Sequence, residues 1–516
     1  MTAQDRTSVF MGTGFNGLKG KGEFIMEQQY TFWFIAGTQD LYGAEVVRQV
    51  NDHAKIIAKA LDEDPSVPGR VVCMPAVRNA GEITDVMTKA SADESCVGVI
   101  TWMHTFSPSK MWIGGLTRLT KPWLHLHTQF HRDIPFDQID MDYMNLNQSA
   151  HGDREHGFIG ARLRLPRKVI AGYWGDEATR ARVGRWMRAA IGAYESRRLK
   201  VCRFGDNMRE VAVTEGDKVE AQIKLGWSVN SWGVGDLVSI VDRVTEAQVD
   251  AKMKEYRERY DFHTDDVDAV RYQAKLEVAL RKFLEVGGFG AFTDNFQDLQ
   301  QLRQLGGLAV QNLMADGYGF GGEGDWKIAA LHRIVKLMST GLSGGTAFME
   351  DYTYHMDPQN PGILGAHMLE VDPDIAVTKP CIEVHPLGIG DREPPARLTF
   401  KTGEGDAIVI SLVDMGGRMR MIVNDVHATA PFEEMPKLPV AQVMWKPLPD
   451  LTTSAEAWIL AGGAHHTVLS YGLDAEILRD FARILDIEFV HIGKDTKLEE
   501  LEKELMWNDL YWKLKS

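Results

Sequence analysis

At 516 residues, with 44% hydrophobic and 25% charged side chains, the chain has the length of about three domains and enough apolar residues for large cores without lipid. Lys and Arg number 57 against 72 Asp and Glu, a net charge of −15 with no basic stripe, which excludes a nucleic-acid binder; no apolar run reaches the ~18 residues that a membrane span needs. Four cysteines (Cys73, Cys96, Cys202, Cys381), none in a C-x-x-C pair, exclude a disulfide framework and a thiolate metal centre. They lie in or beside apolar runs, so buried free thiols in a reducing cytoplasm are expected.

Residues 1–25 lack the apolar segment of a secretory signal and are expected to be a disordered extension or tag. From Thr31 the texture alternates. Thr31 to Ala36 reads as a strand; Val46, Val47, Val50, Ala54, Ile57 and Leu61 fall at helical spacing; Arg70 to Met74, Cys96 to Met103 and Trp123 to His127 read as further strands. Such alternation predicts a parallel sheet covered on both faces, with ligands beyond the carboxyl ends of its strands, where Gln39, Leu41, Tyr42, His104 and Phe106 follow.

After a helix at Asp176 to Ser196, a second α/β unit is predicted. Val201 to Phe204 and Leu237 to Val241 read as strands, and Asp217 to Lys224, Thr245 to Tyr260 and Asp265 to Glu285 as helices. G-G-F-G at Gly287 to Gly290 has no G-K-[ST] sequel and reads as a turn. Beyond Gly324, Ile328, Leu331, Val335 and Met338 form one apolar helical stripe, which puts Glu323 just ahead of a helix, where capping alone would account for it. From about residue 380, Ile382 to Val384, Arg397 to Phe400, Ala407 to Val413 and Arg418 to Asn424 predict an antiparallel sheet or small barrel. Trp458 to Leu460 is expected to return to the core, and the helix Asp474 to Leu485 and strand Glu488 to Ile492 to close the chain.

The predicted fold class is therefore α/β, with two doubly wound parallel-sheet (flavodoxin/Rossmann-like) domains, 26–199 and 200–343, and a C-terminal antiparallel β-rich, barrel-like domain, 344–516. Chemistry concentrates in four glycine-bearing runs: G-Y-G-F-G-G-E-G-D-W (Gly317 to Trp326), F-M-E-D-Y-T-Y-H (Phe348 to His355), G-A-H-M-L-E-V (Gly365 to Val371) and A-G-G-A-H-H-T (Ala461 to Thr467). Two glutamates and two histidines among them suit a borderline divalent ion such as Mn²⁺ or Fe²⁺. Successive separations of 27, 17 and 99 residues between Glu323, Glu350, His367 and His466 fix no local geometry, so spacing alone also allows four unrelated loop residues.

Those four runs, with G-T-Q-D-L-Y-G (Gly37 to Gly43), H-T-F-S-P-S-K-M-W (His104 to Trp112) and M-N-L-N-Q-S-A-H-G (Met144 to Gly152), closely resemble the bacterial L-arabinose isomerases, in the same order from about Met26 onward. The resemblance implies aldose–ketose isomerisation of L-arabinose to L-ribulose, the first step of L-arabinose catabolism, with D-galactose to D-tagatose as a second conversion. It implies one Mn²⁺ per subunit, with Co²⁺ or Mg²⁺ as substitutes, bound by Glu323, Glu350, His367 and His466. Of the adjacent pair, His466 goes to the metal and His465 beside it. Glu323 and Glu350 are the implied proton-transfer groups, and Gln39, Leu41, Tyr42, Phe106, Gln148, His151, Met208 and Phe296 the implied sugar contacts. The family's cytoplasmic homohexamers, with active sites shared between subunits, set the expectation for assembly. An isomerase of the L-fucose type, a non-catalytic sugar-binding α/β protein and a metal hydrolase are the other readings of the residues.

Overall fold

The computed structural model describes residues 30–389 and 391–515; the extension expected over residues 1–25 lies outside them. Among the described residues two compact units emerge, one of 30–194 with 476–486, the other of 195–475 with 487–515.

The first unit is a five-stranded parallel sheet of β1 (Thr31–Gly37), β2 (Arg70–Cys73), β3 (Cys96–Met103), β4 (Trp123–His127) and β5 (Lys168–Ala171), in the order β2-β1-β3-β4-β5. Central β3 is buried at every position, as expected of a strand covered on both faces. Side chains alternate between two cores. Phe34 joins Ile57, Trp102 and Trp186, whereas its neighbour Ile35 joins Ile83, Val99 and Trp112 on the other face. Helix α1 (Gly43–Asp62) supplies Val50, Ala54, Ile57, Ala58 and Leu61 as its buried stripe; α2 (Ala80–Ala92) starts where the Asn79 side chain accepts the Glu82 N–H. The helix Ala475–Leu485 belongs to this unit, held where Lys168 Nζ on β5 lies 2.7 Å from both Glu476 and Asp480.

The second unit opens with another parallel sheet, of β6 (Lys200–Phe204), β7 (Ser228–Trp232), β9 (Ala291–Thr293) and β10 (Gly319–Gly321), in the order β10-β9-β6-β7. β8 (Asp261–Phe262), β13 (Cys381–Val384) and β14 (Ala396–Thr399) make a small separate sheet. A closed antiparallel barrel follows, built from β11 (Thr346–His355), β12 (Gly362–Ala366), β15 (Gly405–Asp414), β16 (Met419–Thr429), β17 (Val443–Pro447) and β18 (His466–Ser470). Its order is β15-β18-β11-β12-β17-β16, and β16 pairs back onto β15. Ala347, Met349, Val409, Val426, Trp445 and Leu469 fill its interior, and β19 (Glu488–Ile492) adds parallel to the first half of β16. The two doubly wound sheets and the barrel are the architecture read from the sequence.

Four expectations fail. Leu237 to Val241 is not a strand but part of the helix Val234–Val241, where Val234, Leu237 and Val241 bury one face; the strand is the more polar Ser228–Trp232, at the sheet edge. A five-residue run with three β-branched residues carries no period of its own, and burial at i, i+3 and i+7 decides for helix. The chain does not close at Ile492, because the helix Leu498–Lys515 follows; apolar and charged residues mixed all round it leave no amphipathic period to detect. Trp458 packs against the core, but Ile459 and Leu460 are 71% and 44% exposed, on the outer side of the helix Leu451–Leu460. All four cysteines are free thiols, yet only Cys96 and Cys202 are buried; Cys73, on the edge strand β2, and Cys381, on the central strand β13 of the small sheet, are half-buried.

Candidate metal centre

The carboxyl ends of the second parallel sheet carry the site. Three loops meet there, after β6 (Asn207, Met208), β9 (Asp294, Phe296) and β10 (Glu323), as the rule for ligand placement in α/β sheets predicts. Backbone bonds staple them together: Met208 N–H donates to Glu323 O (2.9 Å), Gly324 N–H to Asp294 O (2.7 Å), and the Asn207 amide to Gly324 O (3.2 Å). Glu323 itself holds φ 59°, a left-handed conformation uncommon for a non-glycine residue. Such local strain is held by this stapling.

The barrel wall supplies the rest. Within the β11–β18 ladder Glu350 is the partner of His466, and within β11–β12 it is the partner of Ala366, the residue before His367. Directly opposed residues share a face of the sheet. Phe348, two positions before Glu350 and on the same face, packs against both imidazoles, at 4.7 Å from His367 and 5.4 Å from His466 between ring centroids. The His367 and His466 rings are 5.9 Å apart. All four predicted ligand residues thus come to one place. The tightest group, with ligand atoms within 4.8 Å of one another, is Glu323, His465 and His466; Glu350 and His367 flank it.

Each imidazole is held from behind. His466 Nδ1 lies 3.2 Å from Asp325 Oδ2, and His367 Nδ1 lies 2.6 Å from Glu370 Oε2. Asp325, not Glu323, caps the helix Trp326–Met338, through Lys327 and Ile328 N–H groups, so the capping explanation of Glu323 falls away. His466 Nε2 is buried without a hydrogen-bond partner, 3.9 Å from Glu323 Oε2, while half-exposed His465 places its Nε2 3.5 Å from the same oxygen. An orphaned buried imidazole nitrogen beside a carboxylate is costly unless something completes it. A divalent cation fits this donor set.

Electrostatics agree. His465 beside it holds the Glu323 carboxyl below the usual carboxylate value, outweighing burial. Burial pushes the His466 imidazole down, keeping it neutral, the form that ligates metals. Burial opposes charge on His367 too, but Glu370, Glu350 and Glu323 raise it. Two further acids, each half-buried, sit near: desolvation pushes Asp294 and Asp351 up to about 7, assisted by Glu370 and Glu350 respectively.

The predicted sugar-contact residues fall in two groups. In the first unit, Gln39 and Tyr42 follow β1 and Phe106 follows β3, at the point where the strand order reverses. There Gln39 Nε2 donates to Phe106 O (3.0 Å), Gln148 Nε2 to Tyr42 Oη (3.0 Å), His151 Nδ1 lies 3.2 Å from Gln148 Oε1, and the His151 and Phe106 rings stack at 4.5 Å. Leu41 is 81% exposed. In the second unit, Met208 and Phe296 belong to the loops around Glu323, Phe296 stacking at 6.4 Å on His367. Asp325 and Glu370 were missed from the sequence, although an Asp opening an apolar helical stripe and a carboxylate three residues after His367 were both legible.

Comparison with known proteins bears on the whole chain. Residues 26–198 match the L-arabinose isomerase N-terminal domain model, 200–341 the central domain model and 345–488 the C-terminal domain model. Relatives named L-arabinose isomerase include that of Thermotoga maritima, 56% identical over 489 residues (94% of this chain, 99% of the relative). Those of Geobacillus stearothermophilus and Anoxybacillus flavithermus are 57% identical over 94% and 95% of this chain and 98% of each relative. With three domain models matched in order and more than half of the residues shared along nearly its full length, this chain belongs to the L-arabinose isomerase family, whose members are aldose–ketose isomerases.

Proposed function

We propose that the protein interconverts L-arabinose and L-ribulose, and D-galactose and D-tagatose, as the first enzyme of L-arabinose breakdown in the cytoplasm. The observation that carries the reading is the convergence of Glu323, Glu350, His367 and His466, with the unpartnered His466 Nε2 3.9 Å from Glu323. These four residues would hold one Mn²⁺ per chain, with Co²⁺ or Mg²⁺ as substitutes. When bound, the ion supplies Lewis acidity at adjacent sugar oxygens.

The chain's own groups do the rest. Isomerisation moves a proton from C2 to C1 and another between O1 and O2, through an enediol. One of Glu323 and Glu350 takes the C2 proton, and the pair returns it at C1; the carboxyl of Glu323, held low by His465, starts ionised, as a base must. Phe296 and Met208 exclude water beside the imidazoles. Gln39, Leu41, Tyr42, Phe106, Gln148 and His151 recognise the sugar, and we read the functional assembly as a hexamer in which a neighbouring subunit completes each active site. The domains are read as 26–199, 200–343 and 344–516.

The test is L-ribulose formation from L-arabinose by EDTA-stripped protein, before and after Mn²⁺ is added. Activity absent and then restored supports the reading. A folded, metal-loaded protein inactive on L-arabinose and D-galactose alike would leave a sugar-binding protein instead. Solvent deuterium at C1 of the ketose would mark the enediol route over a hydride shift.

A further inference from the structure

We infer that Asp325 and Glu370 are positioning residues that select the Nδ1–H tautomer of His466 and His367, so that each presents its Nε2 lone pair to the site. The inference rests on the metal reading above. A neutral imidazole has one N–H and one lone pair, and an ionised carboxylate only accepts. A carboxylate at Nδ1 therefore assigns the proton to Nδ1 and the lone pair to Nε2. In His466 that nitrogen is the buried atom left without a partner.

The fold fixes each carboxylate in this place. Asp325 is fully buried, and its two oxygens are divided. Oδ1 accepts the N–H groups of Lys327 (3.2 Å) and Ile328 (3.3 Å) at the helix start and lies 3.2 Å from Lys327 Nζ; Oδ2 goes to His466 Nδ1. Lys327, itself buried, is anchored in turn by donating to Thr214 O (2.8 Å) and Glu215 O (2.7 Å). The loop that follows Met208 is thus tied through one ammonium and one carboxylate to His466. Glu370, also buried, spends Oε2 on Leu369 N–H (3.1 Å) and His367 Nδ1 (2.6 Å). Carboxylates behind metal-bound histidines fix ring orientation and raise ligand basicity, and losing one typically weakens binding by roughly 10- to 100-fold.

Asp325→Asn separates this role from capping. Asn caps a helix about as well as Asp, but an amide has a single oxygen. It can accept from the helix N–H groups or from His466, not from both, and an NH₂ turned to Nδ1 demands the opposite tautomer. The measurement is Mn²⁺ affinity by competition with a fluorescent chelator, on full-length stripped protein, with metal-free Tm alongside. Asp325→Asn and Glu370→Gln should each weaken Mn²⁺ binding by roughly 10- to 100-fold while the metal-free melting curve stays cooperative. In a His466→Ala background, Asp325→Asn should add no further loss, a coupling that a purely structural role would not produce. Wild-type affinity in both single variants overturns the inference while the metal reading stands. If the wild-type protein binds no Mn²⁺, the metal reading itself has failed, and the positioning role with it.

Discussion

Glu350 and His466 are direct partners across the β11–β18 ladder. Because opposed residues share a face, closing the barrel sets carboxylate and imidazole side by side without help from any loop. The pairing makes Glu350 testable in isolation from folding. Glu350→Gln should lower L-ribulose formation by at least about 10²- to 10⁴-fold, since the amide is no base, while circular dichroism and metal-free Tm stay near wild type. A folded variant with normal turnover would remove Glu350 from the chemistry.

Gly322 lies against His367, and a Cβ there would stand 2.8 Å from both Cε1 and Nε2 of the ring. Gly322→Ala is therefore expected to displace the imidazole and weaken Mn²⁺ binding. At Gly388 a Cβ meets nothing within 4 Å, so Gly388→Ala should leave binding unchanged. Chelator competition on the two variants checks the contrast.

A bound ion should stabilise the fold by mass action, by about 2.7 kcal/mol when free Mn²⁺ is ~100 times its Kd. The expected result is a Tm that rises with Mn²⁺ in the wild type and does not move in His466→Ala. Calorimetric melts over a Mn²⁺ series measure it.

Far from the site, Glu277 on the helix Val267–Gly287 is fully buried. It lies 2.9 Å from Lys252 and 2.8 Å from Arg281, and accepts from the Tyr256 hydroxyl (2.5 Å) and the Asn312 amide (2.6 Å). Burial alone would raise its carboxyl, but Lys252 and Arg281 outweigh it and hold it at about 2, below the ordinary 4.5. A depressed folded value contributes stability that is complete above the unfolded value and is lost as pH falls toward about 2. Urea titrations should show the wild type losing this stabilisation below about pH 4.5. Glu277→Gln should cost roughly 3–5 kcal/mol at neutral pH, because part-buried Lys252 and Arg281 lose the carboxylate they share, and its stability should fall less steeply with acid.

Much of this was legible in the sequence, for physical reasons. β3 reads as a strand because both its faces are covered, and α1 because its buried positions recur at the helical period. The segment Leu237 to Val241 misled because so short an apolar run fits either period, and the helix Leu498–Lys515 escaped because its apolar and charged residues are mixed on every side. At the site, glycine-rich wording marked Glu323, Glu350, His367 and His466, but that they meet depends on barrel closure, which no local pattern encodes. Asp325 and Glu370 stayed hidden because an N-capping Asp and an acid near a histidine have many ordinary explanations.

The ligand candidates are scattered from Glu323 on the second parallel sheet to His466 on the barrel, with Glu350 and His367 between. A chain emerging from the ribosome therefore carries no such site until β18 has been made and has closed against β11 and β15. An ion cannot nucleate this fold as it does a zinc finger; it can only enter a finished one. Metal scarcity during synthesis should accordingly leave a folded, inactive protein that later metal revives, not a misfolded one.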